Sequence, residues 1–163
     1  MPKAQELDLA YLDMAETWAS LSKAKRKKVG CLIVKDGAII SDGYNGTPSG
    51  FDNDCEIRVP VENTEMTDDE GNWFGDYVPF KKFDLQTKPE VLHAESNAIT
   101  KLAKSTQSSK GATMYITISP CMDCSKLIIQ SGIKRVVYRK FYKNDEGIKL
   151  LKQGGIEVVS YEN

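Results

Sequence analysis

Two short segments carry residue types that can do metal-assisted proton chemistry: His93-Ala94-Glu95 and Pro120-Cys121-Met122-Asp123-Cys124. Cysteines three positions apart on a helix share one face, so Cys121 and Cys124 can both reach one ion. The start of a helix favours negative charge and therefore the thiolate form that binds metal. Two thiolates and a neutral imidazole from His93 make a Zn²⁺ site of zero net charge. Three protein ligands leave the fourth tetrahedral position to water, the arrangement of catalytic zinc. Zinc brings the pKa of such a water down toward neutrality. Glu95, two residues beyond His93, falls beside the metal without ligating it, where a carboxyl group can take a proton and pass it on.

Each part also has an ordinary reading. C-x-x-C alone fits a redox pair, or half of a four-ligand structural zinc completed by Cys31 or Cys55. His93 alone fits a histidine at a helix end, and Glu95 alone a charge that suits a helix start. Together they form H-x-E…P-C-x-x-C, with both halves opening predicted helices. That joint pattern is the signature of the zinc nucleobase deaminases.

The elements that must position these residues follow from periodicity. Apolar spacing predicts helices over 6–21, 92–103, 122–130 and 145–152, the third ending at Gly132 as a C-cap. Strands are predicted over 29–34, 38–44, 113–118, 135–138 and 156–160, the first two joined by a turn at Asp36-Gly37. Residues 45–89 are rich in Gly, Pro, Asn and Asp and are expected as a long loop insertion without regular elements. The acidic stretch 62–76 within it reads as a solvated loop. A hairpin followed by alternating helices and strands predicts an α/β fold, a mixed sheet with helices packed on both faces, in a single domain over 1–163.

Composition narrows the class of function. The chain has 163 residues, 40% hydrophobic and 28% charged, as a globular domain should. Twenty-two basic residues balance twenty-three acidic ones for a net charge of −1, which provides no global field for duplex binding. One histidine rules out any metal site that needs two imidazoles from one chain. No apolar run approaches the roughly 18 residues of a membrane span, and residues 1–7 lack a signal pattern. The expected partners exclude membrane and nucleic acid, and the expected location is cytoplasmic.

The segments HAESNAI, GATMYITISPCMDC and KLIIQSGIKRVVYRKFY, with SKAKRKKVGCLIVKDG and IISDGYNGTPSGF before them, resemble the deoxycytidylate deaminase family. The first motifs mark the wider cytidine deaminase superfamily; GYNGTPSG narrows the match. The resemblance implies hydrolytic deamination of dCMP to dUMP and ammonia, on a three-layer αβα sandwich around a mixed five-stranded sheet, which agrees with the element order above. It implies zinc on His93, Cys121 and Cys124, with Glu95 as proton shuttle to the ring. It also implies that Ala94, Ser119 and Pro120 fix the pyrimidine edge, that Asn45 meets sugar and base, and that Tyr142 lies at the pocket. Ser22, Lys23 and Arg26 are candidates for the 5′-phosphate, since hydroxyl and guanidinium groups suit it. Family members are homo-oligomers, often hexamers, activated by dCTP and inhibited by dTTP. The implied effector segment is Gly43, Tyr44, Asn45 and Gly46, with Mg²⁺ as companion to a bound triphosphate. A phage branch carries a second zinc that uses further histidines; with none left here, one zinc per chain is expected.

Three other readings share parts of this pattern. A deaminase of dCTP or deoxycytidine would use the same zinc chemistry with a different phosphate site or none. A polynucleotide deaminase would need a broad basic or aromatic groove. A zinc-stabilised binding module would fill the fourth ligand position with protein and have no use for Glu95.

Overall fold

A computed structural model describes residues 3–60 and 83–162. The acidic stretch 62–76 lies outside the described residues. Helix α1 (Ala4–Ala19) buries Asp8, Leu12, Ala15 and Ala19 along one face. Strands β1 (Gly30–Lys35) and β2 (Ala38–Tyr44) form the first hairpin. Asp36 and Gly37 at its tip have φ of 50° and 77°, the twist-matched turn that such sequences favour. Then follow β3 (Glu56–Pro60), β4 (Phe83–Thr87), α2 (Ala94–Leu102), β5 (Thr113–Ile118), α3 (Met122–Gln130), β6 (Arg135–Lys140), α4 (Glu146–Gln153) and β7 (Glu157–Ser160).

The main sheet has the order β2-β1-β5-β6-β7. Strand β1 runs antiparallel to both neighbours, whereas β5, β6 and β7 are parallel. Period-two alternation divides each central strand between two cores. Cys31, Ile33, Met114, Ile116, Val136 and Tyr138 face α2, α3 and α4. Leu32, Val34, Tyr115 and Val137 face Leu12 and Ala15 of α1. Three layers result, as the alternation of elements predicts.

The α1 layer is fastened by one buried acid. Asp8 accepts two hydrogen bonds from the Arg135 guanidinium, at 2.8 and 2.7 Å, and one each from the hydroxyls of Tyr115 (2.9 Å) and Tyr161 (3.0 Å). Burial disfavours its charge, but the bonds from Arg135, Tyr115 and Tyr161 outweigh that and hold its pKa below the usual carboxyl value.

Two details depart from the expectations above. Helix α1 lies two residues earlier than 6–21, because Ser20 caps it and leaves Leu21 half exposed. Residues 45–89, expected without regular elements, contain the antiparallel ribbon β3–β4. Most of its positions are exposed on both faces, so no apolar alternation announces it. No helix among the described residues is long and apolar enough to cross a membrane.

Candidate active site

His93 is the N-cap of α2 and Cys121 the N-cap of α3, both with extended backbone. Strand β5 delivers the chain to Cys121. The first α3 turn closes through the Ser125 amide donating to the Cys121 carbonyl at 2.9 Å, and Cys124 lies within that turn. Gly147 of α4 makes room for this corner: a side chain there would meet the Pro120 carbonyl oxygen and come 2.9 Å from Ser125 Oγ.

Helix α2 is held from the other side by Gly43-Tyr44-Asn45-Gly46. A Cβ on Gly43 would collide with the Ala94 carbonyl and lie 2.7 Å from the Ala98 amide, so only glycine lets α2 settle on β2 here. The Asn97 side chain donates to the Tyr44 carbonyl at 3.0 Å. Gly46 and Leu92 exchange both backbone hydrogen bonds, at 3.1 and 2.8 Å, immediately before His93. Asn45 donates from Nδ2 to the Lys27 carbonyl at 2.8 Å and accepts from the Val29 amide at 2.8 Å. This segment therefore clamps the loop before β1 and the start of α2 together.

Three donor atoms converge. Nδ1 of His93 lies 3.5 Å from Sγ of Cys121 and 3.4 Å from Sγ of Cys124. Tetrahedral Zn–N and Zn–S bonds of ordinary length imply N···S separations of about 3.6 Å. The three residues thus fit a zinc ion with little rearrangement, and they are the one metal-competent histidine, cysteine or acid cluster among the described residues. Cys31 and Cys55 are buried elsewhere and do not join it, so the four-ligand structural site has no fourth protein sulfur there. The two thiols are unequal: hydrogen bonds with Cys124 and His93 pull Cys121 down to about 4, while Cys124, bonded to Cys121 and buried, is pushed up. The bond to Cys121 raises the His93 pKa.

Glu95 is 4% exposed yet contributes to the wall of the cleft. Its burial pushes the carboxyl pKa up to about 7. A carboxyl group with that balance can hold or release a proton near neutrality.

The cleft has a volume of about 480 Å³, within the usual range for small-molecule sites. Of the sequence candidates, Arg26, Asn45, His93, Ala94, Glu95, Ser119, Cys121 and Tyr142 line it. Ser22, Lys23 and Pro120 are not brought into its wall. Ser22 is fully buried, donating to the Asn45 carbonyl at 2.7 Å and accepting from the Ala24 amide at 3.2 Å. Lys23 is exposed to solvent, and Pro120 is packed in the core.

The structure adds wall residues that sequence reading missed. Ser119 Oγ accepts from the Tyr142 amide at 2.8 Å and so fixes that tyrosine. The Tyr142 ring carries Lys27 Nζ at 4.8 Å and Lys143 Nζ at 5.8 Å from its centroid. With Arg26, these ammonium groups make the cationic edge of the cleft. Glu56 and Thr87, paired across β3 and β4, form another part of the wall. The signal for Lys27 was present in the basic run 23–28; nothing local marks Lys143 or Glu56.

A mixed sheet that presents one histidine and two cysteines from the starts of two helices, with a buried glutamate beside them, is the arrangement of the zinc deaminases of nucleobases. The chain belongs to the cytidine and deoxycytidylate deaminase family, whose zinc-binding region matches residues 5–140. It is 38% identical to the deoxycytidylate deaminase of Enterobacteria phage T2, over 97% of this chain and 91% of that one. It is 39% identical to the corresponding phage T4 protein, over 97% and 89%. Its fold superimposes on the crystal structure of dCMP deaminase from cyanophage S-TIM5 in complex with dCMP and dUMP, with a TM-score of 0.78 at 41% identity, covering 98% of this chain and 99% of that one.

Proposed function

We propose that this protein converts dCMP to dUMP and ammonia in a hydrolytic, zinc-dependent reaction carried by one domain. The observation that carries the reading is the convergence of His93, Cys121 and Cys124, with His93, Cys121 and the buried Glu95 lining a cleft that has a cationic edge. Bound zinc supplies Lewis acidity that makes a water nucleophilic near neutral pH. His93, Cys121 and Cys124 would hold one ion per chain.

Glu95 takes the proton that the attacking water loses and delivers it to N3 of the ring as C4 is attacked. It then takes the second proton, from the hydroxyl now on C4, and passes it to the departing amine, so that the C4–N bond breaks and a C4 carbonyl and ammonia are left. Its burial keeps competing solvent away from that transfer. The Ala94 and Ser119 backbone bounds the pyrimidine, and Tyr142 closes one side. Arg26, Lys27 and Lys143 receive the 5′-phosphate, which favours a nucleotide over free deoxycytidine. The one-domain chain would act in the cytoplasm, that of a host cell if the protein is viral, as its phage relatives suggest. Activation by dCTP with Mg²⁺, inhibition by dTTP and assembly into a homohexamer rest on the likeness of GYNGTPSG to the family's effector segment.

Ammonia release from dCMP, dCTP, deoxycytidine and CMP tests the reading, with dCTP and dTTP added in parallel. dCMP should be turned over best. A zinc-loaded protein that releases ammonia from none of the four overturns it.

A further inference from the structure

Glu56 is the acid in the cleft that deamination leaves without a task. It opens β3 and faces the same cavity as His93 and Glu95. Its Oε1 is committed, accepting from the Lys25 amide at 2.8 Å and the Arg26 amide at 3.1 Å. These two bonds anchor one oxygen of the carboxyl group at the cleft wall. Its Oε2 is buried and has no partner among the described residues. A buried acceptor held rigidly at a cavity wall and left unsatisfied calls for a donor from whatever fills the cavity.

We propose that Glu56 Oε2 accepts a hydrogen bond from the 3′-hydroxyl of the substrate sugar, and that Glu56 thereby selects mononucleotides with a free 3′ end. This rests on the reading of the reaction given above. A cytosine deoxynucleotide has few donors to offer. The 4-amino group must lie at the Glu95 end of the cleft. The 5′-phosphate is acceptor-rich and belongs with Arg26, Lys27 and Lys143, and a carboxylate would repel it. The remaining donor is the 3′-hydroxyl. A nucleotide inside a strand carries a 3′-phosphate in its place, an anion set against an acid, so the same residue refuses polynucleotides.

The test compares dCMP, 2′,3′-dideoxycytidine 5′-monophosphate and deoxycytidine 3′,5′-bisphosphate on the zinc-loaded wild-type protein. Removing one hydroxyl that donates to a charged acceptor should lower kcat/KM by roughly 10–10²-fold, and the bisphosphate should fare worse. In Glu56→Ala the preference for dCMP over the dideoxy compound should collapse toward unity. Glu56→Gln keeps an oxygen for the Lys25 and Arg26 amides and should narrow the discrimination against the bisphosphate. A dideoxy compound turned over within threefold of dCMP by the wild type overturns this inference alone, as does a Glu56→Ala variant that loses activity on both equally. Failure to deaminate dCMP at all overturns the reaction, and this inference with it.

Discussion

Nδ1 of His93 stands 3.4 Å from Sγ of Cys124, across the gap between the first turns of α2 and α3. That distance joins two helices whose seats are set independently, α2 by β2 and α3 by the end of β5 and by α4. Neither helix start is anchored by a side-chain cap of its own. An ion held between them therefore contributes to folding as well as to chemistry.

Removing the metal tests this. Chelation should lower Tm measurably, and re-addition of one equivalent of zinc should restore it, since a ligand bound only by the folded state stabilises it. Cys124→Ser should abolish stoichiometric zinc in elemental analysis and with it the shift. A content of two zinc ions per chain would contradict the single site.

The Gly43 contact supplies a second prediction. Gly43→Ala pushes a methyl group into the Ala94 carbonyl and the Ala98 amide. Overpacking of this kind should destabilise by about 1–3 kcal/mol, and because α2 carries His93 and Glu95 it should weaken zinc retention too. Urea denaturation with parallel metal analysis reads both. A variant with normal stability and zinc, altered only in its response to dCTP or dTTP, would assign Gly43 to an effector site instead.

Substrate charge can be separated from substrate ring. Lys27→Ala and Lys143→Ala each remove an ammonium group from the Tyr142 face. Each should raise KM for dCMP roughly tenfold, the worth of one charge-assisted hydrogen bond, with little change in kcat. Activity on deoxycytidine should be unaffected. Arg26→Ala should behave alike; an unchanged KM would remove Arg26 from the phosphate site.

Asp8 gives a pH dependence with a definite sign. Its pKa is lowered from 3.8 in the folded protein, so its contribution is fully present above the unfolded value and fades as pH falls through the folded one. Asp8→Asn should cost about 3 kcal/mol at pH 7, the lower end for breaking a buried pair, because Arg135 keeps some solvent contact. The difference between wild type and Asp8→Asn in urea melts should shrink below about pH 3.8. A gap that stays constant down to pH 2.5 would contradict the assignment.

Much of this arrangement is legible in the chain itself, where local pattern and tertiary role coincide. Strand β5 is buried on both faces and helix α3 is followed, just past its Ser131 C-cap, by Gly132 at positive φ, so 113–118 and 122–130 are delimited without reference to anything distant. The zinc cluster is legible because each half has fixed local spacing. The ribbon β3–β4 is not, since exposed strands lack the alternation that burial imposes. Nor are Glu56 and Lys143, which reach one cleft from segments far apart in sequence. Ser22 shows the converse: a hydroxyl beside a basic run suggests phosphate binding, but the fold uses it to tie the Ala24 turn to Asn45. The motif Gly43–Gly46 has a visible task in seating α2, which its resemblance to an effector segment does not convey.

The most direct test of the central claim is turnover of dCMP by wild type and Glu95→Gln, with zinc measured in both. Glutamine fits the same buried space but cannot shuttle the proton. The account predicts about one zinc per chain in each protein, ammonia release by the wild type, and a kcat lower by roughly 10²–10⁴-fold in the variant. A fully zinc-loaded Glu95→Gln protein that deaminates dCMP at the wild-type rate would contradict it.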